Sequence, residues 1–259
     1  MGVDDLLPLV FENQNRIMRV GGTRRSLHER LIAAFPSRPI KVVVGFRRSG
    51  KSFLCMQVAK DLVVRRIVEL GDLVYLNFED WRLSGLRNAG ELEGLLTRLV
   101  ARAPGNRRRL IVLDEIQTLP GWDRFVRSLH ERDEGWEILV TGSNADLLSS
   151  EFAERLAGRH IAFELLPFSF AETLSHRGLS VRDEADWFRN RRELDAAFLD
   201  WLEGGALPER FSIGDPDAAR SYLEGIFSKV ILDDVVKRFR TEHVAVMENL
   251  ARYVLASPG

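Results

Sequence analysis

This chain has a single cysteine, almost no net charge and no long apolar run, and each scarcity narrows what it is. Cys55 alone among 259 residues excludes an internal disulfide and suits a reducing cytoplasm. No hydrophobic stretch approaches the ~20 residues of a membrane span, and Asp4, Asp5 and Glu12 interrupt the early apolar residues, so no signal peptide is expected. A formal net charge of −1 provides no global field toward nucleic acid or an anionic membrane. The five histidines are scattered without metal-ligand spacing. No internal repeat or low-complexity tract is present. What remains is a globular composition, 45% hydrophobic and 29% charged, long enough for one large or two modest domains. Basic clusters at Arg107-Arg108-Arg109, Arg189 with Arg191-Arg192, and Lys237-Arg238 with Arg240 read first as solvated surface.

Against this background one octet stands out. Gly45-Phe46-Arg47-Arg48-Ser49-Gly50-Lys51-Ser52 fits G-x-x-x-x-G-K-[ST], the phosphate-binding loop. Average residue usage would produce that pattern in roughly 1 of 100 chains this long, so its flanks carry the assignment. Ile40–Val44 is β-rich, and Lys51–Lys60, beginning Lys51-Ser52-Phe53, reads as a helix. A strand feeding a glycine loop that opens a helix aims backbone N–H groups at an anion. Residues 45–53 are therefore the expected nucleotide-binding segment. Lys51 is expected to reach the β- and γ-phosphates and Ser52 to ligate Mg²⁺. Cys55, inside that helix, reads as a small buried apolar residue.

Further strands are expected at Leu73–Phe78, Leu110–Leu113, Glu137–Val140 and His160–Leu165, separated by helical patterns such as Trp122, Phe125, Val126 and Leu129. Ser26 followed by Glu29 reads as a capping box opening a helix. Alternating strands and helices imply an open parallel sheet of about five strands flanked by helices, an α/β P-loop NTPase fold. After Pro167 no further strand is evident. Glu193–Glu203, Asp217–Arg240 and Val244–Leu255 read as helices, so a mainly helical C-terminal region is expected. The domain reading is a helical N-terminal segment at 1–39, a core at 40–172 and a helical region at 173–259.

Polar residues after strand ends define the rest of the site, because ligands of such sheets bind beyond the carboxyl ends of the strands. Asp114 follows four apolar residues, the form of a Walker B strand, and would hold the Mg²⁺ shared with Ser52. Glu115 is the expected base toward an attacking water. Ser143 and Asn144 end the fourth strand and at least one is expected to sense the γ-phosphate or the water; a plain turn is the alternative. Arg159 reads either as an arginine finger, toward its own site or a neighbour's, or as a structural ion pair.

These residues carry a resemblance. The octet, Leu113-Asp114-Glu115-Ile116-Gln117 with Trp122, Thr141–Asn144, Leu156–Arg159 and Leu166-Pro167-Phe168-Ser169-Phe170-Ala171-Glu172 are similar to prokaryotic AAA-type ATPases whose core is followed by a C-terminal domain of unknown function. Gly205-Ala206-Leu207-Pro208-Glu209 resembles a further element of that group, with Ala206 in place of its second glycine. The resemblance implies ATP rather than GTP and a hydrolase, to set beside the Mg²⁺ expected from Ser52 and Asp114 and the cytoplasmic location expected from the lone cysteine. It implies a C-terminal domain with a winged-helix-like part and then a nuclease-like fold. The chain stops at Ser257-Pro258-Gly259, about where that part would begin, so a fragment of a longer protein is expected. Three functions stay open: an ATPase acting on an unidentified partner, a nucleotide switch or scaffold with negligible turnover, and a DNA-coupled ATPase. The partners are a nucleotide, then a homo-oligomer or a DNA or protein partner through the C-terminal region.

Overall fold

The computed structural model describes residues 3–102, 107–132, 134–142, 155–156, 158–230 and 244–257. They form two compact units, 1–179 and 180–259.

The first unit is built on five parallel strands: β1 (Ile40–Gly45), β2 (Leu73–Asn77), β3 (Arg109–Asp114), β4 (Trp136–Thr141) and β5 (His160–Leu165). Their order across the sheet is β2-β3-β4-β1-β5, with registers such as Val42 opposite both Val140 and Ala162. All five strands expected from the sequence are present. β1 and β3 are apolar almost throughout because both faces of the sheet are covered. Val42, Val44, Ile111, Leu113 and Val140 pack on one face with α1 (Val3–Arg19), α4 (Glu93–Arg102) and α5 (Trp122–Glu131). Val43, Tyr75, Leu110, Val112 and Leu139 pack on the other with α2 (Leu27–Ala34) and α3 (Lys51–Val64).

β2 lies at one edge of the sheet, where unpaired backbone groups invite association. Asn13 and Gln14 of α1, both buried, donate to Tyr75 O (2.9 Å) and Leu73 O (2.8 Å). The N-terminal helix thus covers that edge and joins the core of the first unit.

The capping box expected at Ser26 is not formed. Ser26 is in the right-handed helical region with no side-chain cap, and Arg24 and Arg65 take the Glu29 carboxylate instead. A capping box does open α6 (Phe170–His176), from Ser169 and Glu172. Glu172 serves two helix starts: Oε2 accepts from Ser169 N (2.9 Å) and Oε1 from Ser26 N (2.7 Å). Burial works to raise its pKa, but these bonds and Arg25 outweigh burial and leave it below the ordinary value. His28, Glu29 and Asp61 also converge. The Arg24 guanidinium stands among them, 2.9 Å from Asp61 and 3.2 Å from His28 Nδ1, so the cluster is an ion-pair network.

The second unit is helical in its described residues. It holds α7 (Glu184–Arg189), α8 (Arg191–Gly204), a 3-10 turn at Pro208–Ser212, α9 (Pro216–Val230) and α10 (Val244–Ala256). Gly205 ends α8 with φ 75°. Arg210 then ties the turn back to Asp200 (3.0 Å), and Tyr222 donates to Glu209 (2.8 Å).

Candidate functional site

Strand order decides where a ligand can bind. β4 and β1 are neighbours. The chain leaving β1 travels past β4 and β3 to β2, whereas the chain leaving β4 travels past β1 to β5. Connections that diverge in this way open a crevice beyond the carboxyl ends of the two strands.

The octet fills that crevice. Gly45 packs so closely that an added Cβ would lie 2.3 Å from Leu165 O. Ser49 N closes a turn on Phe46 O (3.2 Å). Arg48 (φ 62°) and Gly50 (φ 94°) are left-handed, and Gly50 opens α3 with no side-chain cap. The first helical bond runs from Leu54 N to Gly50 O (2.9 Å), so the N–H groups before Leu54 have no intrahelical acceptor. Ser49 Oγ is buried with no hydrogen-bond partner among the described residues. Lys51 is 5% exposed, and its Nζ donates to Gly45 O (3.1 Å) and Phe46 O (3.2 Å). Helix-start donors without an intrahelical acceptor, a buried hydroxyl and a buried ammonium around one loop fit a polyanion.

β3 delivers the carboxylates from the next strand but one. Asp114 is fully buried, accepting from Tyr75 OH (2.6 Å) on Oδ2 and from Thr141 Oγ1 on Oδ1. Thr141 also accepts from Glu115 N (3.1 Å), so the last residue of β4 fixes both acidic residues at once. Glu115 is left-handed (φ 53°), a strained conformation for a residue with a side chain. Its Oε2 accepts from Gln117 Nε2 (2.6 Å), and its Oε1 lies 3.9 Å from Lys51 Nζ.

Electrostatics ties these groups together. Burial pushes the Lys51 pKa below its ordinary value against the opposing pull of Glu115 and Asp114. Burial pushes Glu115 above its ordinary value, opposed by the Gln117 bond and Lys51 and helped by Asp114. Cys55, one turn further along α3, is fully buried, and burial together with the Asp114 charge raises its thiol. It is an inert packing residue, as its sequence context suggests. A cavity of about 770 Å³ lies beside the first turn of α3, lined by Glu12, Arg16, Arg19, Val20, Phe53 and Met56 among others.

Residues 45–53, Asp114 and Glu115 are thus gathered at one edge of the sheet. Arg159 is not among them. It precedes β5, and its carbonyl accepts from Ile40 N (2.9 Å) at the start of β1, the opposite edge. There its guanidinium pairs with Glu131 (3.1 Å). The length of a strand separates it from the loop, which corrects the expectation that it might serve its own site. Ser143 and Asn144 lie outside the described residues. Sequence reasoning missed Thr141, Tyr75 and Gln117 as site residues. Thr141 carried a readable signal, a hydroxyl at the carboxyl end of a buried strand, whereas Tyr75 is recognisable only once β2 is paired with β3.

Fold and loop together define an α/β protein of the P-loop class, a parallel sheet flanked by helices with a glycine loop at the carboxyl end of β1. A family profile described as an AAA domain matches residues 37–174, more than half of the chain, and the chain belongs to that family. An uncharacterized protein of Haemophilus influenzae is 27% identical over 238 residues, covering 92% of this chain and 56% of its own length. An uncharacterized protein of Methanocaldococcus jannaschii is 33% identical over 220 residues, covering 83% of this chain and 46% of its own length. The chain therefore spans about half the length of these relatives. Among solved structures, a Walker-type ATPase of Pyrococcus abyssi aligns at 15% identity and a TM-score of 0.48, over 86% of this chain and 79% of that one. No helix among the described residues is long and apolar enough to cross a membrane.

Proposed function

We propose that the chain is a Mg²⁺-dependent, cytoplasmic ATPase that binds and hydrolyses ATP and thereby changes conformation against a partner. The observation that carries this reading is the convergence of Lys51, Asp114 and Glu115 on the uncapped start of α3. In this reading the N–H groups of Gly50, Lys51 and Ser52 hold the phosphates, and Lys51 moves from the loop carbonyls to the β- and γ-oxygens. Ser52 and Asp114 hold Mg²⁺, which neutralises phosphate charge when bound. Glu115 takes a proton from water as the water oxygen attacks the γ-phosphorus and the bond to the ADP oxygen breaks. Thr141 and Gln117 hold Glu115 in position, and Ser143 or Asn144 senses the γ-phosphate. The nucleoside occupies the cavity beside Phe53. Purified protein should release phosphate from ATP with Mg²⁺. Glu115→Gln should keep ATP binding while turnover falls by about 10²–10⁴-fold; turnover at the parent rate would remove Glu115 as the base.

The position of Arg159 favours a second reading. On the opposite edge, as an arginine finger it would serve only another copy of the chain, so an isolated molecule would act as a nucleotide switch with little turnover. Specific activity that rises with protein concentration supports a homo-oligomer completed by Arg159, and a flat, low activity supports the switch. In either case the unit at 180–259 is proposed as the opening of the family's C-terminal domain, through which a protein or DNA partner is engaged. The cluster Lys237-Arg238-Phe239-Arg240, which motivates DNA, lies outside the described residues.

A further inference from the structure

Arg25 stands outside every motif, between α1 and α2, and only 6% of it is exposed. Its Nη1 donates to Ser49 O (2.7 Å), inside the phosphate loop. Its Nη2 donates to Leu166 O (2.6 Å) and Pro167 O (3.3 Å), where β5 turns toward α6. Nε lies 3.2 Å from Glu172 Oε1, and the guanidinium sits 4.8 Å above the Phe168 ring. A buried guanidinium is costly unless its donors are satisfied. Here they are spent largely on backbone carbonyls, so what the residue fixes is backbone direction.

That direction matters at Ser49. A trans peptide is planar, with its C=O and the next residue's N–H pointing opposite ways. Holding Ser49 O against Arg25 therefore turns the Gly50 N–H away from Arg25. Gly50 has no Cβ to resist rotation of that peptide plane, and no side chain caps it. We propose that Arg25 is a positioning residue that locks the Ser49–Gly50 peptide so that the Gly50 N–H faces the phosphates. The same guanidinium links the loop to the Leu166–Glu172 corner. The inference rests on the nucleotide reading above and deepens it by naming what holds the loop in its binding form.

The test compares ligands with and without phosphate. Arg25→Ala should weaken MgADP and MgATP binding on the order of tenfold, the loss of one hydrogen bond to a charged group, while adenosine binding stays at the parent value. Arg25→Lys, with one point charge in place of a fork, should fall between. Arg24→Ala, which removes the neighbouring exposed guanidinium from Glu29 and Asp61, should leave all three affinities unchanged. The Gly50 amide resonance should shift in Arg25→Lys even without ligand. Equal losses for ADP and adenosine, or ADP affinity unchanged in a folded Arg25→Ala, would overturn the proposal. If Arg25→Ala does not fold, Arg25→Lys carries the same comparison. A parent that binds no nucleotide would refute the ATPase reading instead, and the Gly50 resonance then decides the lock alone: a shift in Arg25→Lys upholds it and an unmoved resonance ends it.

Discussion

Each end of the parallel sheet buries a lysine beside a glutamate, and the two pairs are built differently. At the amino edge Lys41 is fully buried and its Nζ donates to Glu137 (2.6 Å) and Ser37 O (2.5 Å), with the Phe35 ring 5.1 Å away. Around it Arg109 donates to Glu134 O (2.9 Å) and Arg159 pairs with Glu131. At the carboxyl edge Lys51 leans on two loop carbonyls at 3.1 and 3.2 Å and stands 3.9 Å from Glu115. Burial lowers the pKa of both lysines. Only the first has its charge met at short range by a carboxylate. At the amino edge the lysine charge is met within the protein. The carboxyl edge keeps an ammonium, a strained glutamate and a helix start in reserve, and the strain at Glu115 alone is worth about 1–3 kcal/mol. Charge held without close compensation is what an electrostatically demanding ligand completes.

The contrast can be broken by exchanging the roles. Lys41→Met leaves Glu137 with only Arg108, 3.7 Å away, and should cost about 3 kcal/mol of folding stability in a denaturant titration, while nucleotide affinity stays at the parent value. Lys51→Ala should do the reverse. It should weaken MgATP binding by about 10²-fold with little loss of stability, and unchanged affinity would refute the phosphate-loop assignment. If both variants lose stability and neither loses affinity, the two edges do not differ in function.

The pH dependence sharpens the comparison on one edge. The Glu115 pKa is raised, mainly by burial, and the base works only when deprotonated. Hydrolysis should therefore fall as pH drops through a value above the ordinary carboxylate range near 4.5, and the acid limb should vanish in Glu115→Gln. A limb at or below the ordinary range would place Glu115 in a more solvated site than the one described. The smallest effect belongs to Arg159. Its ion pair is partly exposed, so Arg159→Ala should cost under about 1 kcal/mol of stability. Any larger loss of turnover that grows with protein concentration would mark it as a residue supplied to a neighbour.

The strands were legible because each is a short apolar run bounded by turn residues, and the loop was legible because its glycines and Lys51 are contiguous. Asp114 and Glu115 were readable as the end of a buried strand. Short α6 and α7 were not anticipated, having too few turns for periodicity to register. Ser26 and Glu29 have the spacing of a capping box, but Arg24 and Arg65 compete for Glu29, and Glu172, 146 residues from Ser26, takes the backbone N–H. Arg25 reads as one of two adjacent arginines, yet Arg24 faces the Glu29–Asp61 network and Arg25 the phosphate loop.

By itself the sequence determined the alternation of strands and helices and the turn that begins α3, because side-chain periodicity and glycine torsions are local properties of the chain. Tertiary structure alone decided that β4 lies between β1 and β3, that Thr141 holds both carboxylates, that Arg159 stands at the far edge, and that Arg25 reaches Ser49. Those outcomes depend on pairings between residues dozens to more than a hundred positions apart, and only burial of both sheet faces selects among the arrangements that local signals allow.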